Sequence, residues 1–137
     1  MGTRNYRRAE AGGQMMNVRV IRGAATVELN DAALIKEVTL EMVKDIVNQN
    51  NVNPADISCV FITVTQDLDQ AFPAQAIRQL PGWELVPQMC ALEVPVKGSL
   101  EKCVRLMVLV NTDKSQAEIQ HIYKGGAIAL RPDLAQK

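Results

Sequence analysis

Apolar residues between positions 31 and 50 recur every three or four residues, which is the spacing of one face of an α-helix. Asp31 is a suitable N-cap, and Asn50, Asn51 and Pro54 interrupt the pattern. The pattern therefore predicts one long amphipathic helix, and its apolar positions are Leu34, Ile35, Val38, Met42 and Ile46.

Three other segments are rich in apolar and β-branched residues and predict strands. Residues 17–27 alternate apolar and polar side chains and then reach Gly23, which predicts a strand followed by a bend. Residues 57–65 are apolar almost throughout, as in a central strand that is covered on one or both faces. Residues 103–110 predict another buried strand, with Arg105 in its middle.

Prolines organise the next part of the chain. A polar loop over residues 66–71 precedes Pro73, which predicts a short helix that begins there and extends through Leu80. Residues 84–93 predict a further strand, and Pro87 within it indicates either a position at the edge of a sheet or an irregular stretch.

The last elements follow a capping-box pattern. Ser115 and Glu118 predict the start of a short helix that contains His121, which we expect to be exposed or to cap the helix. Residues 127–130 predict a final apolar strand. Strands and helices thus follow the order β, α, β, short α, β, β, α, β. This order predicts a mixed α/β (α+β) fold, in which helices pack against a mixed β-sheet.

The composition fits a single domain. The chain has 137 residues, of which 47% are apolar, enough for one core with little room for a second. Residues 1–16 contain several arginines and glycines and no periodicity, which predicts a disordered leader. We expect the domain to cover residues 17–134 and a short C-terminal tail to cover residues 135–137.

Charge and cysteine content exclude several classes of protein. The 15 basic residues balance the 15 acidic ones, which argues against a nucleic-acid binder that neutralises many phosphates. No apolar run approaches the roughly 20 residues of a membrane span, and the N-terminus lacks a secretory signal, so we expect a soluble, cytoplasmic protein with no membrane partner. Three cysteines without C-x-x-C spacing indicate neither a disulfide framework nor a metal site.

Charged residues within apolar strands are the main chemical signal. Arg105 must reach solvent or meet acceptors, Arg22 lies where the predicted bend begins, and Glu93 lies in an apolar stretch. Two guanidinium groups and a carboxylate suit a small organic acid that carries a hydroxyl group. From the residues alone, a structural ion pair or a solvent-reaching side chain explains Arg105 better than a ligand contact does, surface charge explains Arg22 at least as well, and Glu93 could simply pair with one of the arginines. Cys90 has no evident histidine beside it, so a nucleophilic role is not indicated.

Four segments, in this order, resemble the monofunctional bacterial chorismate mutases of the trimeric α/β class: VRVIRGAATVE, TQDLDQAFPAQAIRQLPGWELVP, VKGSLEKCVRLMVLVNTD and HIYKGGAIALRPDL. The resemblance covers residues 17–134. It implies a barrel-like homotrimer of packed sheets, with each active site in a cleft between neighbouring subunits. It also implies the Claisen rearrangement of chorismate to prephenate in aromatic amino-acid biosynthesis. In this family the reaction needs no metal, cofactor, covalent intermediate or general base.

The resemblance also implies roles for particular residues. Arg105 matches the arginine that faces the breaking ether oxygen, and Arg22 matches the arginine that holds a substrate carboxylate. Glu93 accepts a hydrogen bond from the ring hydroxyl near Cys90, and Tyr123 adds a further hydrogen bond. The remaining matched positions are Phe72, Ala74 and Arg78, which a neighbouring subunit presents, Leu130 and Arg131 in the segment that covers the pocket, and Gln75, Gln88 and Met89.

The last three positions depart from the family's usual residues. Gln75 stands where a lysine can occur in relatives, and Gln88 and Met89 replace smaller residues, so we expect a different substrate affinity. Two other functions stay open: a non-catalytic trimer that binds a small carboxylate, and an enzyme of different chemistry with Cys90 as its nucleophile. A purely structural role is disfavoured, because charges inside apolar strands are costly.

Overall fold

A mixed five-stranded β-sheet forms the centre of the computed structural model, which describes residues 10–11, 14–131 and 133. In chain order the strands are β1 (Glu10–Ala11), β2 (Gln14–Met15), β3 (Asn17–Thr26), β4 (Ile57–Val64), β5 (Gln88–Leu92), β6 (Cys103–Thr112) and β7 (Ile122–Lys124). The strands β1 and β2 pair with each other, and the others form the sheet in the order β5-β4-β6-β3-β7. The central strand β6 runs antiparallel to both of its neighbours, β3 and β4. The edge strands β5 and β7 run parallel to β4 and β3, respectively. The predicted mixed sheet is confirmed.

The two predicted terminal segments fall largely outside the described residues. Residues 1–9 and 12–13 of the expected disordered leader lie outside them, and so does the whole tail of residues 135–137.

The long predicted helix is present as α1 (Ala32–Asn50), with the predicted start and end. The Leu34 N–H donates to Asp31 Oδ2 at 3.0 Å, which is the expected N-cap bond. Asn51 adopts a left-handed φ of 50°, and its N–H donates to the Val47 carbonyl, so the helix ends there. Within the described part of the chain, no helix is long and apolar enough to cross a membrane.

Gly23 is not a bend, so this part of the prediction is wrong. The strand β3 continues through Gly23 to Thr26. A Cβ atom at this position would lie 2.8 Å from Met42 Sδ and 3.0 Å from Ile46 Cδ1. Glycine is therefore favoured here because α1 packs closely against the strand, not because the chain turns.

The proline-containing segments are shorter than predicted. The helix α2 (Pro73–Arg78) begins at Pro73 as expected but ends before Leu80. The strand predicted at residues 84–93 begins only after Pro87, because proline has no N–H to donate to the neighbouring strand. The edge position predicted for this strand is confirmed.

The C-terminal elements differ most from the prediction. The capping box at Ser115 opens a 3₁₀ helix of only three residues, and His121 lies beyond it, directly before β7. The last strand is β7, and residues 127–130 instead belong to the 3₁₀ helix Gly125–Leu130. Gly125 turns the chain with a φ of +58°, and the Gly126 N–H donates to Thr26 Oγ1 at 2.9 Å. These two features direct the apolar run away from the edge of the sheet.

The two faces of the sheet have different surroundings. One face packs against α1 and carries fully buried residues such as Ile21 and Leu106. The opposite face, here called the open face, carries apolar side chains that are 42 to 63% exposed, and these are Val18, Phe61, Met89 and Met107. An apolar surface of this kind is typical of a surface that contacts another protein molecule.

Candidate active site

Four residues form one row across the open face of the sheet. Arg105 of β6 pairs with Thr63 of β4 on one side and with Ala24 of β3 on the other, and Ala24 pairs with Tyr123 of β7. Directly paired residues lie on the same face, and Arg105 is two residues from Met107 of the open face. Ala24 has only a methyl side chain, so no large side chain of β3 stands between the guanidinium and the phenol in this row.

Glu93 holds the Arg105 side chain. Arg105 Nε lies 3.1 Å from Glu93 Oε1, with 31% and 23% of the two side chains exposed. The Nε–H does not point at this oxygen, so the contact is an ion pair rather than a hydrogen bond. Thr63 Oγ1 donates to the same carboxylate oxygen. Arg105 is therefore restrained by a neighbour while part of its guanidinium remains open to a ligand.

Tyr123 carries a buried hydroxyl without a partner. The residue is 4% exposed and packs with Ala24, Cys103 and Ala127, with Leu130 against the same cluster. Its OH has no hydrogen-bond partner among the described residues. Burying a hydroxyl without a partner is unfavourable, so a polar ligand atom would be a suitable partner for this group.

Cys103 lies two residues before Arg105 in β6, on the same face of the sheet, and is fully buried. Burial raises the pKa of its thiol, although the Arg105 guanidinium acts in the opposite direction. The raised pKa keeps the thiol neutral, so no thiolate competes with a negatively charged ligand for the charge of Arg105.

Arg22 lies one residue before the paired region of β3 and β7 and is linked to His121. The Arg22 N–H donates to His121 Nδ1 at 2.9 Å. Burial, and then the charges of Arg22 and Arg131, lower the pKa of His121 below its usual value. The expectation that His121 lies in a helix and is exposed or caps it is wrong, because its half-buried ring accepts a main-chain hydrogen bond next to the sheet.

A second group of predicted residues lines a cavity of about 610 Å³ between α2 and β5. Phe72, Gln75 and Cys90 line it, and Lys36 of α1 lies at the same cavity. Cys90 of β5 pairs with Ile62 and so lies on the face that packs against α1. Glu93 follows β5 and contacts Thr63 and Arg105 on the open face. One chain therefore does not bring Cys90 and Glu93 to one surface.

The other predicted residues have varied surroundings. Ala74 is buried in the main core, whereas Arg78 is exposed at the end of α2. Gln88 is half-buried, and its Oε1 has no hydrogen-bond partner among the described residues. Arg131 is exposed and forms two hydrogen bonds with Asp133, at 3.1 and 3.0 Å.

A further cavity, of about 320 Å³, lies beside Asn50 and Lys114 and contains none of the predicted site residues. Its lining includes no arginine, and the Lys114 ammonium already donates to the Asn50 carbonyl. Among the described residues, no group of three or more His, Cys, Asp and Glu side chains is placed to hold a metal ion.

Sequence reasoning did not identify Thr63, Cys103 or the contact of His121 as parts of the site. These contacts depend on the pairing of strands that are far apart along the chain. The alternation of Cys103 and Arg105 in one strand was the available signal, since residues two apart share a face.

Comparisons with known proteins assign the chain to a family. The family model for chorismate mutase type I matches residues 18–134. The chain is 41% identical over 120 residues to chorismate mutase AroH of Bacillus subtilis (strain 168), covering 88% of this chain and 94% of the relative. It is 43% identical over 118 residues to chorismate mutase AroH of Thermus thermophilus, covering 85% and 96%.

A solved structure shares the fold as well as the sequence. A chorismate mutase from Clostridium thermocellum superposes with a TM-score of 0.78 at 45% identity, covering 81% of this chain and 98% of that one. The match of the family model over almost the whole described domain, together with these relatives, shows that the chain belongs to the chorismate mutase type I family.

Proposed function

We propose that this chain converts chorismate to prephenate on the open face of its sheet, at a site built around Arg105. The row of Thr63, Arg105, Ala24 and Tyr123 carries the proposal, because a restrained guanidinium and an unpartnered buried hydroxyl lie on the same face of the sheet. Membership in the chorismate mutase type I family gives the class of reaction, and the enzyme is an isomerase.

Arg105 stabilises the charge that develops in the reaction. In the rearrangement a carbon–oxygen bond of an enol ether breaks as a new carbon–carbon bond forms, so negative charge grows on the ether oxygen. A fixed cation next to this oxygen binds the transition state more strongly than the substrate. Preorganised donors of this kind contribute about 3–4 kcal/mol each. The ion pair with Glu93 supports this role, because it holds the guanidinium in place before substrate binds.

The other residues hold the substrate in its reactive shape. Chorismate is a flexible dianion, and Arg22 pairs with one of its carboxylates. Tyr123 donates its free hydroxyl proton to the ligand. Glu93 uses Oε1 for both Arg105 and Thr63, and its other oxygen accepts from the ring hydroxyl. These contacts select the folded conformer, in which the reacting carbons are close together. No proton transfer is required.

A homotrimer with one site between each pair of neighbouring subunits is part of the proposal. Two observations support it: the open face is apolar and exposed, and the predicted residues fall into two groups on different surfaces of one chain. The first group surrounds Arg105, and the second lies around α2 and includes Phe72 and Arg78. When neighbouring subunits cover the open face, the second group of one subunit completes the first group of the next.

The enzyme is proposed to act in the cytoplasm. The three cysteines are unpaired, and reduced thiols are typical of that compartment.

The competing function is a trimer that binds a small carboxylate without converting it. Such a protein needs Arg22 and Tyr123 but has no use for a restrained cation next to an ether oxygen. The ion pair between Arg105 and Glu93 therefore favours catalysis over passive binding.

Loss of the ultraviolet absorbance of chorismate, with identification of the product, tests the proposal. The full chain is expected to produce prephenate, and Arg105→Ala is expected to be about a hundredfold to a thousandfold slower. Arg19→Ala is the matched control, because this arginine lies on β3, faces the other side of the sheet and donates to the Lys114 carbonyl. Binding of chorismate without conversion by the unmodified chain would instead establish the passive function.

A further inference from the structure

The imidazole of His121 extends the pairing of β3 and β7 by one residue. The paired positions of these strands run from Gly23 to Ala25, opposite Ile122 to Lys124. Arg22 lies one residue before this region, and its main-chain N–H donates a hydrogen bond to His121 Nδ1 at 2.9 Å. A side chain therefore accepts the hydrogen bond at the point where the neighbouring strand begins.

This contact fixes the state of the ring. Because Nδ1 accepts a hydrogen bond from the main-chain N–H of Arg22, the neutral ring carries its own hydrogen on Nε2. The charged groups that act on the ring are Arg22 and Arg131, and both favour its neutral form. A protonated ring would lose the acceptor and add a third cation to the charges of Arg22 and Arg131.

We propose that His121 is a positioning residue that fixes the main chain at Arg22 and thereby the direction of its guanidinium. This inference rests on the role proposed above for Arg22 as the partner of a substrate carboxylate. On its other side Arg22 lies opposite Met107 of β6 in the paired strands, and the imidazole adds a restraint from the side of β7. A guanidinium that is held in place before binding loses less freedom when it pairs with a carboxylate.

The position of the acceptor atom provides a test with two similar variants. In His121→Asn, the amide oxygen lies as many bonds from Cβ as Nδ1 does. In His121→Gln, the amide oxygen lies one bond farther away and corresponds to Nε2 instead. We expect the KM for chorismate to stay within about twofold of that of the unmodified chain in His121→Asn. In His121→Gln we expect the KM to rise about tenfold, because a tenfold change corresponds to the free energy of about one hydrogen bond. The kcat should change less than threefold in both, since the contact does not reach the ether oxygen.

Amide hydrogen exchange provides a second readout that does not depend on activity. The Arg22 amide should exchange about tenfold faster in His121→Gln than in the unmodified chain and in His121→Asn. Asn53→Ala is the control, because it also removes a side-chain acceptor of a main-chain N–H, that of Ala55, but this residue caps the 3₁₀ helix Pro54–Asp56 and lies outside the paired residues of β3 and β7. Its KM and its Arg22 exchange should not change.

Three results would overturn the inference. The first is the same KM in His121→Asn and His121→Gln. The second is faster exchange of the Arg22 amide in His121→Gln with no change in KM. The third is a fall in kcat as large as the rise in KM. Failure of the proposed role of Arg22 is distinguished by Arg22→Ala: an unchanged KM in that variant removes Arg22 from substrate binding, whatever His121 does.

Discussion

Arg105 Nε lies 3.1 Å from Glu93 Oε1, on the face of the sheet that α1 does not cover. The carboxylate comes from just beyond an edge strand and the guanidinium from the middle strand of the sheet, with Thr63 of the strand between them donating to the same oxygen. The ion pair is half-exposed, so its contribution to stability is small. Its consequence is geometric, since it orients a cation whose side chain is still 31% exposed.

Replacing Tyr123 by phenylalanine should affect binding without affecting stability. A buried tyrosine hydroxyl usually has a partner, and its loss destabilises the fold, but this hydroxyl has none among the described residues. We expect Tyr123→Phe to change the free energy of unfolding by less than about 0.5 kcal/mol and to raise the KM for chorismate about tenfold. Urea denaturation and steady-state kinetics measure the two effects. A loss of stability with an unchanged KM would mean that the hydroxyl binds within the protein.

The stability of the fold should depend on the protonation of His121. The pKa of His121 in the folded chain lies below its usual value of 6.5, because of burial first and the nearby arginines second. The unfolded chain therefore takes up this proton at a higher pH than the folded chain does. The free energy of unfolding should fall as the pH decreases below about 6.5, until the pH reaches the pKa of the folded state.

His121→Asn isolates this effect, because asparagine does not titrate. Protonation of Asp69 and Glu118 also lowers the free energy of unfolding at acidic pH, because hydrogen bonds from Asn30 and Ser115 lower their pKa values in the folded chain. This contribution is the same in the unmodified chain and in His121→Asn. The difference between the unfolding free energies of the two proteins should therefore change between pH 7 and pH 5.5. A constant difference would show that His121 titrates normally in the folded chain.

Gly23→Ala should destabilise the fold by about 1–3 kcal/mol, because the new Cβ would lie 2.8 Å from Met42 Sδ. The cause is the close approach of α1 to β3, so shortening the facing side chain should relieve it. In a Met42→Val background we expect the same substitution at Gly23 to cost less, as measured by urea denaturation. An equal cost in both backgrounds would refute the packing explanation.

The long helix and most strands could be predicted from sequence because their signals are local. Asp31 and Asn51 mark the ends of α1 by their own chemistry. The bend predicted at Gly23 is absent, because a glycine that accommodates a neighbouring helix cannot be distinguished by sequence from a glycine that forms a turn. The apolar run at residues 127–130 was assigned to a strand because four residues do not distinguish a strand from a 3₁₀ turn.

The candidate site was predicted in part. Arg105 and Glu93 stand out because a charge within an apolar strand needs a reason. The supporting contacts could not be inferred, because Thr63 and Glu93 are 30 residues apart, and Arg22 and His121 are 99 residues apart. Only the register of the strands brings these pairs together.

The division of the predicted residues into two groups leads to a prediction for mixed trimers. Arg105→Ala and Arg78→Ala should each lower activity strongly as pure proteins. When the two variants are co-expressed, some sites should combine an intact Arg105 from one subunit with an intact Arg78 from its neighbour, and activity should partly return. Mixed trimers that show no more activity than the pure variants would contradict a shared site.

A charged substitution on the open face tests whether this surface forms the contact between subunits. Met107→Glu places a charge on this apolar surface, whereas Leu85→Glu places one on a side chain that is 94% exposed and outside the sheet. Sedimentation equilibrium should show dissociated chains only for Met107→Glu, and that variant should not complement the others.

The kcat of Arg105→Lys with chorismate separates the effect of charge at position 105 from the effect of its orientation, because lysine keeps the charge and loses the planar fork that Glu93 orients. We expect a kcat about a hundredfold or more below that of the unmodified enzyme, with an unchanged thermal unfolding midpoint. A kcat close to that of the unmodified enzyme would contradict the claim that an oriented guanidinium at position 105 stabilises the transition state.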